Sequence, residues 1–277
     1  MNNFIYQIKS VDNLTFTDDG MFQAVMHNPD ICAEVVERLL HIKVNHIDYP
    51  ELEKTIAPYY SSKGIRLDVY LKDSNKVIDV EIQNYRMDTP GKRTRYYQSM
   101  IDIDSLMKGQ DYSELKESYI LFICKDDPFK DSNNKYYGLP CYTFKNICKE
   151  NSAVNLDDKT VKVLYNASAY EQEKDEKIRN FLHYVYTNET GQDDFSNRLE
   201  KTVKRLIEND KFRNDYLAMN LHDRDITKMA KQEGAQQKAE ESAVNMLKKN
   251  YPNTEITEIT GLPLEKIREL QKRLVEV

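Results

Sequence analysis

The sequence has no tryptophan, no stretch of about 18 apolar residues, and no excess of positive charge. The missing apolar run excludes a membrane-spanning helix. The start, "MNNFIYQIKSVDNLTF", also lacks the charged-then-apolar layout of a secretory signal, so a cytosolic protein is expected, with no membrane partner. A formal net charge of -6 argues against a protein that coats nucleic acid nonspecifically, because phosphate binding needs concentrated positive surface. It leaves room for a local basic patch. The four cysteines (Cys32, Cys124, Cys141, Cys148) include no CxxC pair, and the five histidines show no HxxxH or HxH spacing. Thiolate or histidine metal sites and a disulfide framework are therefore not expected; reduced, mostly buried thiols are.

What is present is a chain of 277 residues, 40% hydrophobic and 31% charged, with 19 tyrosines. That is the composition of a soluble globular protein long enough to bury a real core. "LTFTDDGMFQAVMHNPDICAEVVERLLHI" predicts two helices, the first capped by Thr17 or Asp18 and the second starting at Pro29 or Asp30. Ile31, Val35, Val36, Leu39 and Leu40 recur at helical spacing in the second. A connection, "IDYPELEKTIAPYYSSKG", leads to "GIRLDVYLKDSNKVIDVEIQ". There Leu67, Val69, Leu71 and Ile78, Val80, Ile82 alternate at period two, a hairpin with one hidden face.

"TPGKRTRYYQSMIDIDSLMKG" predicts a helix from Pro90, with Tyr96, Met100, Ile103 and Met107 on its buried stripe and Gly109 as its stop. "SYILFICK", "GLPCYTFKNIC" and "TVKVLYNA" read as strands, and "DDPF" as the turn after the first of them. From Tyr170 onward strand signals vanish and charged amphipathic helices follow. They end in "TEITEITGLPLEKIRELQKRL", which has the spacing of a small helix-turn-helix. The expected organisation is an α/β domain over residues 1–170, a helical region over 171–235, and a C-terminal helical segment over 236–277.

The other side of the hairpin carries the chemistry. Arg66, Asp68 and Tyr70 stand on one strand, and Asp79, Glu81 and Gln83 on the other. Aspartate is depleted in strands, and like charges placed across a ladder destabilise it unless a cation compensates them. Two carboxylates with an amide oxygen suit a hard cation such as Mg²⁺, and Mn²⁺ or Ca²⁺ by the same chemistry.

Asp68, a short turn, then Glu81-x-Gln83 resembles the PD-(D/E)xK nuclease core. The blocks "LTFTDDGMFQAVMHNPDICAEVVERLL", "IRLDVYLKD", "DVEIQ", "KRTRYYQSMIDIDSLMKGQDYSELKESYILFICKDDPF" and "GLPCYTFKNIC" together resemble the recombination-promoting nuclease family, also labelled PD-(D/E)xK family transposase. The resemblance covers most of residues 14 to 170. It implies a restriction-endonuclease-like core, a mixed central sheet flanked by helices, followed by an all-helical C-terminal region. It also implies a bacterial, Mg²⁺-dependent DNA endonuclease, with DNA as partner and homo-oligomerisation left open. Asp68 and Glu81 would be metal ligands and Asp68, Glu81 and Gln83 the catalytic set. Glu37, with Glu34 second, is the candidate acid from the preceding helix, and Asp79 an acid behind the ligands or in solvent.

Gln83 departs from the superfamily, whose lysine stands at that position, and an amide cannot supply its charge. Lys92, Arg93 and Arg95 on the following helix are the candidate replacements. Tyr97 or Gln98 is expected to reach the site or the DNA backbone, and Tyr96 to lie in the core. Nothing in these residues shows strand transfer as opposed to cutting, so endonuclease activity is expected, with any recombination downstream. The alternative is a catalytically weak nuclease fold serving as a DNA-binding or oligomerising module.

Overall fold

The computed structural model describes residues 9–44, 51–56, 64–73 and 75–275, apart from the side chains of residues 219–233 and 275. The chain divides into two compact units, Met1–Arg213 and Asn214–Val277.

The first unit opens with α1 (Asp19–Met26) and α2 (Pro29–Leu40). Asn28 caps α2, its side-chain oxygen accepting from the Asp30 and Ile31 N–H groups, and Pro29 takes the first helical position, where no N–H is needed. The strands are β1 (Glu51–Ile56), β2 (Ile65–Asp73), β3 (Lys76–Gln83), β4 (Glu117–Cys124), β5 (Cys141–Phe144) and β6 (Thr160–Asn166). They form one mixed sheet in the order β1-β2-β3-β4-β6-β5. β3, β4 and β6 run parallel, and the remaining pairs are antiparallel. Between β3 and β4 runs α3 (Pro90–Ser105), the crossover that parallel strands require.

Register assigns the faces. Asp79, Glu81 and Gln83 align with Ile120, Phe122 and Cys124. That is the α3 face, where Ile120, Phe122 and Leu164 pack with Tyr97, Met100 and Ile101. Ile78, Val80 and Ile82 align instead with Tyr119, Leu121 and Ile123, and through them with Val161, Val163 and Tyr165. On that face the Tyr165 hydroxyl donates to the Leu39 carbonyl of α2 (2.8 Å). Helices α4 (Glu176–Thr187) and α5 (Asp194–Ile207) complete the layer, with Phe16 in ring contact with Phe22, Phe181 and Tyr184.

Four expectations need correction. β3 is buried on both faces rather than one, because α3 covers the face that carries its acids. β1 lies inside the segment expected to be a connection. It is an edge strand, mostly half exposed and rich in charge, so it shows no apolar alternation. On α3, Tyr96, Ile103 and Met107 are exposed, and the helix ends at Ser105; the buried stripe is Pro90, Thr94, Tyr97, Gln98, Met100 and Ile101. The thiols are all free, but only Cys32 and Cys124 are buried.

α6 (Asp210–Lys248) contains the boundary between the units. In the second unit its last turns pack with α7 (Asn253–Thr260) and α8 (Leu264–Val275) around Ala243, Ile256, Leu262, Ile267 and Leu270. Gly261 closes α7 in the left-handed conformation (φ 71°), where a side chain would be strained. Gly261, Leu262 and Pro263 join α7 to α8. Among the described residues no helix is long and apolar enough to cross a membrane.

Candidate active site

The β2–β3 ladder pairs Asp73 with Lys76 and continues as far as Val69 with Val80. Beyond that pair the backbone bonds are replaced by side chains. The Asp68 N–H donates to Glu81 Oε1 (3.0 Å), and the Ile82 N–H donates to Asp68 Oδ2 (3.2 Å). Each carboxylate is thus fixed from the opposite strand where the strands part, and the two are held together.

The parted strands open into a cavity of about 250 Å³ lined by Asp19, Arg66, Asp68, Glu81, Ile82, Gln83, Asn84, Tyr85 and Arg93. Asp19, at the start of α1, reaches its rim because the Asn84 amide donates to the Thr17 carbonyl, tying the exit of β3 to the approach of α1. Sequence reading passed over Asp19. Two adjacent acids, Asp18 and Asp19, stand at the start of α1, and the bond that selects one of them joins residues 67 apart.

Arg93 enters from the first turns of α3. Its guanidinium donates to Glu81 Oε2 (3.1 Å), to Gln83 Oε1 (3.0 Å) and twice to the Tyr97 hydroxyl (3.1 and 2.9 Å). Of the three basic candidates, Lys92 and Arg95 are exposed, and Arg93 alone lines the cavity. Tyr97 meets the site through Arg93. Gln98 does not meet it: its amide bonds Asp102 (2.9 Å) and Ser118 (3.0 Å), tying α3 to β4. Glu37 and Glu34 also stand apart, because α2 packs on the opposite face. Glu37 Oε1 accepts from the Val44 N–H (3.0 Å), and Glu34 is paired with Arg38 and Arg198.

Burial shapes the electrostatics. It pushes the Asp68 carboxyl up to about 6, against the pull of the Ile82 N–H and with repulsion from Asp19. Burial also holds Glu81 well above the usual carboxylate range, with repulsion from Asp79 and Asp68 adding to it. The Tyr97 phenol is pushed up to about 12 by burial and by Glu81. Asp79 is fully buried, and neither of its oxygens has a hydrogen-bond partner. Of the two places expected for it, behind the ligands or in solvent, it takes the buried one: burial, then repulsion from Asp68, raises its carboxyl well above the normal range.

A family model for "PD-(D/E)XK nuclease family transposase" matches residues 20–250. The chain belongs to this family. The matched span holds Asp68, Glu81, Gln83 and Arg93, and begins one residue after Asp19. No curated protein and no solved structure matches the chain significantly.

PD-(D/E)XK nucleases generally use divalent metal ions, and the donor set fits one. Asp68 and Glu81 are hard oxygen donors in a buried site, and a cation there would relieve the mutual repulsion of Asp68, Glu81 and the orphaned Asp79. Among the described residues no three His, Cys, Asp or Glu side chains converge as a complete metal cage. Two protein carboxylates, with water and phosphate filling the other positions, is the arrangement typical of Mg²⁺.

Proposed function

We propose that this chain is a Mg²⁺-dependent DNA endonuclease that hydrolyses phosphodiester bonds and leaves a 5′-phosphate, with any recombination following from the cut. The observation that carries the reading is the meeting of Asp68 and Glu81 at the parting of β2 and β3, each carboxylate locked by the other strand's backbone. These two residues would hold Mg²⁺, or Mn²⁺ or Ca²⁺ in its place. A cation so held polarises the phosphodiester and lowers the pKa of an attacking water.

The chain's own groups do the rest. Gln83 orients the water through its amide. Arg93 supplies the positive charge that the superfamily lysine would bring, and steadies the charge that develops on phosphate. Arg66, exposed at the cavity wall, contacts the DNA backbone, and Asp19 adds an acid at the rim. The helix-turn-helix of α7 and α8 adds DNA contacts, and the protein works in the cytosol.

Plasmid nicking by the wild type, Asp68→Ala and Glu81→Ala, with and without Mg²⁺, tests this. Metal-dependent nicking that both substitutions abolish is expected; equal, metal-independent background in all three contradicts it. One observation favours a second reading, a catalytically weak DNA-binding module. Both ends of the Gln83 amide are engaged, its Nε2 with the Ile82 carbonyl (2.7 Å) and its Oε1 with Arg93. DNA binding that persists without any nicking would select that reading.

A further inference from the structure

Glu81 has two oxygens and both are taken. Oε1 is fixed by the Asp68 N–H (3.0 Å), an inter-strand bond that belongs to the fold. Oε2 is held by Arg93 (3.1 Å), whose side chain is 35% exposed while that of Glu81 is 1% exposed. A cation using Glu81 therefore draws on the oxygen that the guanidinium already holds, and two positive charges at one carboxylate repel strongly in a partly buried site. Arg93 is also anchored behind, by two bonds to the Tyr97 hydroxyl and by the Tyr97 and Phe122 rings, 5.1 and 5.4 Å from its guanidinium carbon. Its planar fork matches two acceptors at once, Glu81 and Gln83 here, and would match two phosphate oxygens equally well.

We propose that Arg93, anchored by Tyr97, is a latch that competes with the divalent cation for Glu81 and passes to a DNA phosphate when the cation binds, so that cation and DNA favour each other's binding. This rests on the nuclease reading of the same cavity. Moving the fork also frees Gln83 Oε1, which makes the amide available to a water only once both ligands are in place. Tyr97 is on this account a positioning residue acting through Arg93. Reciprocity is required: whatever factor DNA adds to cation affinity, the cation adds to DNA affinity.

The test is calorimetric titration of the full chain with Ca²⁺, alone and with a short DNA duplex, for the wild type, Tyr97→Phe and Arg93→Lys. Tyr97→Phe keeps the charge and removes the anchor; Arg93→Lys keeps the charge and removes the fork. Without DNA, both variants should bind Ca²⁺ about five- to tenfold more tightly than the wild type. The gain in Ca²⁺ affinity on adding DNA should be larger in the wild type than in either variant. An ion pair that merely supports the fold would change melting temperature without changing that gain. Equal Ca²⁺ affinities in all three proteins, or equal gains with DNA, would overturn the latch alone. Failure of all three to bind Ca²⁺ would overturn the nuclease reading and the latch with it.

Discussion

At the residue scale, the sharpest feature is Asp79, a fully buried carboxylate with neither oxygen partnered. Such a group costs folding free energy when ionised. In EDTA near pH 8, Asp79→Asn should be more stable than the wild type by about 1–3 kcal/mol in urea unfolding. Asp68, Asp79 and Glu81 all have raised carboxyl pKa values, so at these three groups the folded chain binds more protons than the unfolded one above about pH 4. Wild-type stability should therefore fall as pH rises through about 6 and beyond, and fall less steeply in Asp79→Asn. A stability that rises over that interval would contradict the assigned burial. Gln83 gives a second expectation. Arg93→Met should lower nicking by about 10²-fold or more, the usual size for a group that stabilises charge in the transition state. Gln83→Lys added to Arg93→Met should restore part of it, because lysine then returns to the strand position. The pattern Asp68, Glu81, Gln83 was legible in the sequence because period-two alternation puts these residues on one side. The burial of Asp79 was not, since alternation says nothing of a helix laid over that side.

At the scale of elements, α3 decides how the site works, because it carries Arg93 and Tyr97 and closes one face of the sheet. Its placement depends on a buried polar tie, Gln98 to Ser118 of β4 and to Asp102. Gln98→Ala should cost about 1–3 kcal/mol in denaturant unfolding by leaving the Ser118 hydroxyl unpaired. A neutral result would place the tie at the surface. The start of α3 was readable from Pro90, but of its expected stripe only Met100 is buried. Tyr96 and Tyr97 are both aromatic, and only packing on Phe122, which the Tyr97 ring meets at 6.0 Å, tells which faces in. β1 escaped for a related reason: its Glu51, Glu53 and Lys54 give an edge strand the appearance of a loop. Glu37 is the expected helix acid because α2 precedes the hairpin, but the sheet separates the two, and Asp19 of α1 stands at the cavity instead.

At the scale of the whole molecule, two compact units have separate cores, and the second rests on Ala243, Ile256, Leu262, Ile267 and Leu270. Ile256 has no exposed surface, so Ile256→Ala should destabilise that unit by about 2–4 kcal/mol. Circular dichroism should then show early loss of part of the helical signal, while the signal of the sheet-containing unit persists; a single shifted transition would mean the units unfold as one. The fold class was legible because strand signals stop near Ala169 and helical periodicity takes over. The division after Arg213 was not, because it falls inside one helix. The claim on which the account turns is that Asp68 and Glu81 share a divalent cation. A crystal of the full chain soaked in Mn²⁺ and measured at the manganese absorption edge tests it most directly. An anomalous peak within bonding distance of both carboxylates, about 2.0–2.3 Å, is expected, and it should be absent in Asp68→Ala. A fully soaked crystal with no peak there, or with Arg93 still bonded to Glu81 and manganese elsewhere, would contradict it.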